Sequence, residues 1–588
     1  MIPLTRRQSR IILLLTIVIG LTRLVAIARA PFDWDEGLFM LGVRDYDVGS
    51  HHPHPPGYPL FIAAAKVLHA IGVPEFRALQ VVVLLGAIAL FPALFALARE
   101  LGLSFATAAG GAAVYAFLPN VWIYGGTAFS DIPAAALGFT ACALLLRGRR
   151  ERRAYLVGAL VLGVAAGFRP PMLVAGAVPA LLATWSRLRA GAWRDVALAV
   201  IGGAGIVALA YGGAALASSS VENYIGATRA QSQWVHDIDS WHNPGRAPLH
   251  EVAKLFFLWP IQQKQQFIGL DALAIIALLA AAIRRDAAPW LLVVLFLPLA
   301  IMTWLNLDVE AAGRYALPYL AVHALLAAEA LGVLAVRRPS IQLALCAAVS
   351  IVFLVWAWPG VRLQRRSDPP PVAALEWVKR NVPRDALLYV NGGIGPISEA
   401  VMGDRAKTYY DSIEQVSLLR GDAWLVDLRV QPGAQNFVWP RKQLWKVLRR
   451  RNFEASVSRV SSRIVVGEGW YGEEGGDANP FRWMSHESKT TLPSFHGNGK
   501  LYLRMYVPVD TLGTPPQIEV WLNGALVERF AGTNAITEKS WTLTSRENAT
   551  NELRITTSAV VNPAKLGRSG DTRDLGLRID ALSWTAVR

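Results

Sequence analysis

The chain has 588 residues, 53% of them hydrophobic and 17% charged, and a formal net charge of +15. A chain this apolar is not an ordinary soluble protein, and its length favours a membrane protein with several spans. The positive charges lie in short loops between apolar runs, which is typical of membrane topology and argues against a nucleic-acid partner. Cys142 and Cys346 both lie within apolar runs, which excludes a disulfide framework and a thiolate zinc site.

Apolar runs fill the first 360 residues, and about eleven of them predict membrane-spanning helices, because roughly 20 apolar residues cross a bilayer. The first run follows three arginines but leads into an acidic motif, which favours an uncleaved span over a signal peptide. A shorter run, 58–72, predicts an interfacial or re-entrant helix. The predicted spans cover residues 10–30, 77–98, 104–119, 131–147, 154–168, 171–186, 195–217, 267–283, 288–305, 315–335 and 340–358.

Loop charges predict the topology. Arginines gather in alternate loops, whereas the loops 31–57, 119–130 and 306–313 together contain a single arginine, Arg44, and no lysine. The positive-inside rule then places the N-terminus in the cytoplasm. With an odd number of spans, everything after about residue 360 is extracytoplasmic. The sequence thus predicts a multi-pass protein of a plasma (inner) membrane.

Beyond residue 360 the composition changes. Alternating helix and strand patterns predict a small α/β domain over 361–466, with helices at 372–382, 412–419 and 441–451. From 467 the hydrophobic period becomes two, with a hairpin turn at 522–525, which predicts a β-sandwich over 467–588. The predicted fold is therefore a polytopic α-helical membrane domain, 1–360, with extracytoplasmic α/β and β-sandwich domains.

Three acids open the first external loop: Asp33, Asp35 and Glu36. Ionisable groups at a membrane surface usually mark a site. The apolar Trp34 between them indicates an amphipathic segment that turns the acids into a cleft, where a partly desolvated carboxylate could act as a general base. The alternative is a solvated acidic turn.

A histidine- and proline-rich segment follows the acids. His51, His52 and His54 lie close together near carboxylates, so a divalent metal is one interpretation, and a rigid polar loop is the other.

Three more polar residues lie at the predicted outer ends of spans. Asp131 follows Ser130 and precedes a proline, which is typical of a helix N-cap, but it could also line the same cavity as Asp35. Arg169 and Arg314 run against the positive-inside bias. Binding of a lipid phosphate would explain them, and snorkelling to lipid headgroups is the alternative.

The loop 218–266 carries charged residues among Trp234, Trp241 and Trp259, which suits either sugar stacking or a membrane-interface belt.

Taken in order, these motifs resemble the GT-C glycosyltransferases, above all the protein O-mannosyltransferase and aminoarabinose-transferase group. The segment Asp33-Trp-Asp-Glu-Gly37 resembles their first-loop acidic motif, and His54-Pro-Pro-Gly-Tyr-Pro59 resembles their His/Lys-Pro-Pro segment. Arg314-Tyr315 with the nearby Pro318 resembles the start of a late span. The resemblance covers roughly residues 8–360. This chain has Pro-Gly-Tyr where many relatives have Pro-Leu.

The resemblance implies a polyprenyl-phosphate-sugar donor, transfer on the external face, and Asp35 as the catalytic base with Glu36 in support. We expect the acceptor to be a glycan, a lipid or a protein, with no certain cofactor and a divalent metal left open. The predicted substrate-binding residues are Asp33, His54, Tyr58, Asp131, Arg169, Arg314 and Tyr315.

Two other functions stay open from the sequence. One is a transporter or flippase of a lipid-linked saccharide. The sequence shows no inverted repeat, and the polar residues crowd one face, which favours the enzyme. The other is an interaction module built on the β-sandwich with a degenerate membrane part, against which Asp35 and Arg314 argue.

Overall fold

A computed structural model describes residues 4–258, 268–417, 419, 421–440, 452–460, 464–475, 480–533 and 535–587. The chain forms two compact units. The first contains residues 1–369 together with 439–453, and the second contains residues 370–438 and 454–588. The first unit is therefore discontinuous in sequence.

The first unit is helical, as the apolar runs predict, and each predicted span contains a helix. Its helices are α1 Arg6–Leu24, α2 Trp34–Arg44, α3 Pro59–His69, α4 Glu75–Glu100, α5 Phe105–Phe117, α6 Pro119–Tyr124, α7 Asp131–Gly148, α8 Arg152–Phe168, α9 Met172–Arg189, α10 Trp193–Ala217, α11 Val221–Trp234, α12 Leu249–Ala253, α13 Ile268–Arg284, α14 Ala287–Asn306, α15 Ala312–Tyr315, α16 Leu320–Leu334 and α17 Pro339–Arg366.

The number of spans is less definite than the number of helices. Among the described residues, five helices are long and apolar enough to cross a membrane: α4, α7, α10, α14 and the helix that begins at Pro339. A sixth is reached if the pair α15 and α16, bent by 56°, counts as one span. Helices α5 and α16 have only 13 and 15 residues, fewer than the roughly 20 that cross a bilayer. The count of eleven stays a prediction.

The predicted surface helix is present as α3. It has 11 residues and is about 16 Å long at 1.5 Å per residue, too short to span. Its place at the membrane surface stays a prediction.

Helix α7 lies at the centre of the first unit and packs against α4, α8 and α9. The ring of Phe139, on α7, contacts the rings of Tyr115 and Phe296 edge-on, with centroid distances of 5.7 and 5.8 Å respectively. These rings are almost fully buried, so the N-terminal end of α7, where Asp131 lies, is held on a well-packed base.

The second unit begins with an α/β part, as predicted. Its sheet has the strand order β2-β1-β3-β5-β4, with β1 parallel to β2 and β3, and β5 antiparallel to β3 and β4. The elements are helix α18 Pro370–Asn381, strand β1 Leu388–Asn391, helix α19 Gly395–Met402, and strands β2 Thr408–Tyr410, β3 Ala423–Asp427, β4 Gln435–Val438 and β5 Glu454–Val460.

One predicted helix of this part is wrong. Over 412–419 the described residues form a single 3-10 turn, Ile413–Gln415. The Gln415 side chain accepts the backbone N–H of Asp411 at 2.8 Å, which closes one turn locally instead of starting a helix. The predicted basic helix 441–451 lies outside the described residues.

The rest of the second unit is the predicted β-sandwich, made of two five-stranded sheets ordered β13-β10-β15-β8-β7 and β12-β11-β14-β9-β6. Leucine, isoleucine, valine and methionine side chains from β10, β11, β14 and β15 fill the space between them. Asn523 and Gly524 both have positive φ, as the predicted hairpin requires. The strands are β6 Val465–Val466, β7 Trp470–Glu474, β8 Phe481–Met484, β9 Glu487–Leu492, β10 Asn498–Tyr506, β11 Gln517–Leu522, β12 Ala525–Ala531, β13 Thr537–Thr544, β14 Asn551–Thr557 and β15 Arg578–Ala586.

Candidate active site

The acidic motif forms the start of helix α2. Asp33 is the N-cap residue, and its Oδ1 accepts the backbone N–H of Asp35 at 3.3 Å. Glu36 closes a capping box, because its Oε2 accepts the backbone N–H of Asp33 at 3.1 Å. Two of the three acids thus hold the backbone of this turn, and the third, Asp35, directs its side chain elsewhere.

Glu36 also joins two loops. Its Oε2 accepts the N–H of Phe32 at 2.7 Å, and its Oε1 accepts the N–H of Ala128 at 2.9 Å. The residue is 1% exposed. Burial raises the pKa of Glu36 to about 7, against the three backbone N–H donors, which favour the carboxylate. Glu36 therefore acts as a positioning residue that ties the acidic motif to the loop before α7.

Asp35 meets Arg314. The Arg314 Nη1 donates to Asp35 Oδ2 at 2.7 Å. The arginine side chain is 5% exposed and the aspartate side chain 20%. The sequence predicts these two residues as base and phosphate ligand, and the structure makes them direct partners across 279 positions of sequence.

A second ion pair forms in the same region between Arg169 and Asp131. The Arg169 Nη2 lies 3.2 Å from Asp131 Oδ1, and its Nη1 donates to Ser130 Oγ at 3.2 Å. Ser130 makes no side-chain cap to α7. The helix does begin at this dipeptide, with Ser130 as the N-cap residue and Asp131 in the first turn, but capping is not the role of their side chains, because the Arg169 guanidinium engages both. Among the described residues, Asp131 Oδ2 is buried without a hydrogen-bond partner.

Aromatic rings hold both guanidinium groups. Arg314 lies over Phe129 at 4.6 Å and over Tyr315 at 4.9 Å from guanidinium carbon to ring centroid. Arg169 lies over the same Tyr315 ring at 5.6 Å and over Tyr58 at 5.8 Å. Because Tyr315 contacts both cations, the two ion pairs form one cluster. Both arginines are buried, so neither snorkels to lipid headgroups.

The histidine- and proline-rich segment borders the cluster formed by the two ion pairs. His54 Nε2 and Tyr58 Oη lie 2.9 Å apart, and Phe39 packs edge-on against Tyr58. Loss of hydration lowers the pKa of His54. Gly57 has φ +101°, and a Cβ there would collide with Tyr46 and Val48. A residue with a Cβ would therefore be strained at this position, which favours glycine.

The three histidines of this segment do not gather. His51 adopts left-handed backbone geometry at a turn, whereas His54 turns to Tyr58. No group of three His, Cys, Asp or Glu side chains converges as a metal site in the described parts of the chain. The interpretation of His51, His52 and His54 as metal ligands has no support from this geometry.

The sequence did not predict the support beneath the acidic motif. Phe32 packs on Trp439 and Phe453, with ring centroids 5.7 and 5.6 Å apart. Asn452 Nδ2 donates to the Phe32 carbonyl at 2.6 Å. These contacts come from the segment that returns to the first unit, 420 residues away. Their large separation in sequence hides these contacts. Phe129 and Ser130, which contact the two arginines, directly precede Asp131, but the sequence does not predict that role for them.

The region after α10, which the sequence predicts as the loop 218–266, contacts the proline-rich segment. Tyr224 Oη donates to the Pro56 carbonyl at 3.2 Å. Farther along, the rings of Trp241 and His242 are in tilted contact, with centroids 4.1 Å apart. Arg246 donates to the carbonyls of Trp304 and Leu305 at the end of α14. The predicted position Trp259 lies outside the described residues.

No protein-family model and no curated protein matches the sequence. The fold is similar to that of the Archaeoglobus fulgidus oligosaccharyltransferase in complex with Zn and sulfate, with a TM-score of 0.43 and 15% identity over 66% of this chain and 61% of that chain. For ArnT from Cupriavidus metallidurans bound to undecaprenyl phosphate the TM-score is 0.43 and the identity 12%, over 76% of this chain and 97% of that chain. For arabinosyltransferase EmbB from Mycobacterium smegmatis the TM-score is 0.38 and the identity 12%, over 100% of this chain and 65% of that chain.

These similar proteins are GT-C glycosyltransferases, the family that the motifs resemble. The chain spans less than two thirds of the length of the archaeal oligosaccharyltransferase and of EmbB. With TM-scores below 0.5, these likenesses assign no role to any residue, and the function must be argued from the cluster itself.

Proposed function

We propose that this chain is an integral-membrane glycosyltransferase that moves a sugar from a polyprenyl-phosphate donor to an acceptor on the extracytoplasmic face. The contact between Asp35 and Arg314 carries the proposal. It places a carboxylate suited to general-base catalysis beside a guanidinium suited to phosphate. The apolar helices around the cluster suit a donor with a hydrocarbon chain.

In the proposed reaction Asp35 accepts the proton of the acceptor hydroxyl as that oxygen attacks the anomeric carbon. The bond between this carbon and the donor phosphate oxygen breaks, and the phosphate leaves with the electron pair. Arg314 stabilises the negative charge that develops on it, with Arg169 as a second cation. The products are the glycosylated acceptor and the polyprenyl phosphate.

The structure adds a condition to this scheme. Arg314 Nη1 donates to Asp35 at 2.7 Å and Nη2 donates to Tyr315 Oη at 3.1 Å, and we propose that the donor phosphate takes the place of the carboxylate at Nη1. Donor binding would transfer that guanidinium to the phosphate and release Asp35 to accept a proton. We therefore propose that the donor binds before the acceptor.

The other predicted residues take supporting roles. Tyr315 and Tyr58 hold the guanidinium groups against their rings, and His54 orients Tyr58. Asp33 and Glu36 position the backbone of the motif, so Asp35 alone is proposed as the catalytic base. A divalent metal, which the sequence leaves open, finds no set of three ligating side chains in the described residues, and no step is routed through it.

The test of function uses the full chain in lipid nanodiscs with radiolabelled polyprenyl-phosphate sugars and native membrane extract as acceptor. We expect release of polyprenyl phosphate, and a loss of roughly 10²–10⁴-fold in Asp35→Asn. Asp45→Asn, an exposed aspartate at the end of the same helix, is the matched control and should keep full activity. A flippase would instead move intact donor across a vesicle without cleaving it.

The order of binding has its own test. Undecaprenyl phosphate should bind wild-type chain, and it should bind Asp35→Asn more tightly, because the amide competes less for Arg314. Equal or weaker binding by Asp35→Asn would contradict the competition, even if transfer were observed.

A further inference from the structure

We infer that the second unit carries a saccharide-binding site between its α/β part and its β-sandwich. A cavity of about 500 Å³ lies there, within the size range of small-molecule sites, about 300–1,000 Å³. The outer face of the sheet β13-β10-β15-β8-β7 forms one wall, and the edge strand β2 forms the other. This site is separate from the proposed transfer reaction and does not depend on it.

The sandwich wall departs from an ordinary solvent-facing sheet. Along β10, Leu501, Leu503 and Met505 enter the core, and Tyr502, Arg504 and Tyr506 alternate with them on the outer face. Part of this face is covered, because Tyr502 is 5% exposed and strands β10 and β15 pack against the 3-10 turn Ile413–Gln415 of the α/β part. Arg504 is only partly buried and lines the cavity, so its guanidinium remains available to a ligand.

An ion pair on β15 gives this wall fixed polar groups. Arg578 Nε donates to Asp580 Oδ1 at 2.8 Å, and its Nη2 donates to Oδ2 at 3.2 Å. The guanidinium also lies over Phe481 at 5.0 Å and over Tyr506 at 4.9 Å. The pair is thus immobilised by two bonds and two rings, and it presents donors and acceptors in a planar array.

Arg504 adds a second guanidinium to the wall. Its Nε lies 3.8 Å from Glu538 Oε1, and among the described residues this nitrogen is buried without a hydrogen-bond partner. With Arg578 opposed by Asp580 and Arg504 by Glu538, formal charge is balanced. A strongly anionic ligand has no electrostatic preference for such a site.

The opposite wall offers an oriented aromatic ring. Tyr409 is 38% exposed, and its hydroxyl contacts Ser398 Oγ at 2.8 Å and Glu399 Oε1 at 3.1 Å. These bonds fix the ring while its face remains accessible. Tyr389, on the adjacent strand, is 3% exposed and closes the base.

These features fit a neutral sugar better than other ligands. A sugar ring has an apolar C–H face, which packs on an aromatic ring, and vicinal hydroxyls, which need paired donors and acceptors at fixed spacing. The cavity combines both, and its balanced charge disfavours phosphate. An extended peptide could pair with the edge strand β2, but it would leave the Arg578–Asp580 array unused.

The experiment uses the full chain in detergent on an array of neutral oligosaccharides built from hexoses and pentoses. The best-retained oligosaccharide is then titrated by calorimetry. We expect Arg578→Ala to weaken binding roughly ten- to a hundredfold, as expected for a lost charge-assisted hydrogen bond. Arg529→Ala is the matched control, because Arg529 forms an ion pair with Glu519 on the other sheet. It should bind as wild type does.

A folding defect is separated from a binding defect by Asp580→Asn, which keeps the size of the side chain but loses its charge. Together with an unchanged melting temperature, weaker binding by this variant supports the site. The inference is overturned if no oligosaccharide is retained, if both arginine variants lose binding equally, or if only peptides bind.

Discussion

Asp35 and Arg314 each make burial of the other tolerable, since a lone charge in that position would be strongly unfavourable. Because they are in contact at 2.7 Å, a substitution of either residue also removes the opposite charge that its partner faces. Effects of single substitutions here should therefore be read against the paired substitution.

The first prediction concerns the shape of the cation. Arg314→Lys keeps the charge but loses the planar fork, so it should fall between wild type and Arg314→Ala. Loss of a charge-assisted contact costs about 1.5–3 kcal/mol, or roughly ten- to a hundredfold in donor affinity. The measurement is the donor Michaelis constant and turnover of the three proteins. If only acceptor binding changes, Arg169 becomes the phosphate ligand to test.

The second prediction concerns pH. The pKa of His54 is lowered from its ordinary 6.5 by loss of hydration. The unfolded chain therefore takes up a proton at a higher pH than the folded chain does. The resulting stability is fully present above pH 6.5 and is lost as pH falls from 6.5 through the folded pKa. Each unit of lowering corresponds to about 1.4 kcal/mol.

Melting temperatures of wild type and His54→Gln between pH 7.5 and pH 5 check this. On acidification the melting temperature of wild type should fall more than that of His54→Gln. A constant difference would show that His54 is as hydrated when folded as when unfolded.

Much of the cluster could be predicted at this scale. Asp35, Arg169 and Arg314 are predicted because charged residues at outer span ends need an explanation, whereas Tyr58 is predicted only through the resemblance of its motif. The sequence could not predict which residues pair, because pairing depends on side-chain directions across distant helices. Phe129 looks like an ordinary loop residue in the sequence, and Ser130 indicates only a helix start, so their contacts with Arg314 and Arg169 could not be predicted.

At the scale of elements, the cluster depends on how helix α2 is tied to the loop before α7. Glu36 makes that tie, because its Oε1 accepts the N–H of Ala128 in that loop and its Oε2 accepts the N–H groups of Phe32 and Asp33 at the start of α2. An amide in its place would set an N–H₂ group against at least one of these donors. The tie is therefore specific to a carboxylate and cannot be replaced by its isostere.

The third prediction follows from this tie. Glu36→Gln should destabilise the chain by about 1–3 kcal/mol, the range for an unsatisfied buried group. It should also lower transfer by misplacing Asp35, with little change in donor affinity. Thermal unfolding and single-turnover rates measure the two effects. Glu75→Gln, which removes a more exposed partner of Arg44, is the control, and an equal loss in both variants would contradict the prediction.

Elements differ in how well the sequence predicts them. The period of two and the Asn-Gly turn of β11 and β12 are local signals, and both are confirmed. The predicted helix over 412–419 failed because a glutamine side chain satisfied the backbone instead. Short polar segments allow such alternatives, whereas long apolar runs do not.

At the scale of the whole molecule, the distribution of arginines gives the fourth prediction. Reporter fusions after residue 365 and at the C-terminus should be active only on the extracytoplasmic side. The reason is that the loops holding Asp35, Asp131 and Arg314 are depleted of positive charge on the same side. Cytoplasmic activity of both fusions would place the cluster on the wrong face for a lipid-linked donor.

The division of the chain was only partly visible in advance. The change of composition near 360 marks where the apolar runs end, and the predicted limits at 360 and 466 remain predictions. Span number resists prediction because several helices have lengths between those of a span and a buried helix. Nothing in composition signals that Trp439, Asn452 and Phe453 belong to the first unit.

That return has a consequence for biosynthesis. The acidic motif leaves the ribosome within the first tenth of the chain, yet its anchor on Phe32 comes from Trp439, Asn452 and Phe453. During translation the motif must therefore wait, only partly fixed, while the intervening helices insert. Under the proposed function, productive substrate binding would require that late segment, which would separate membrane insertion from the onset of chemistry.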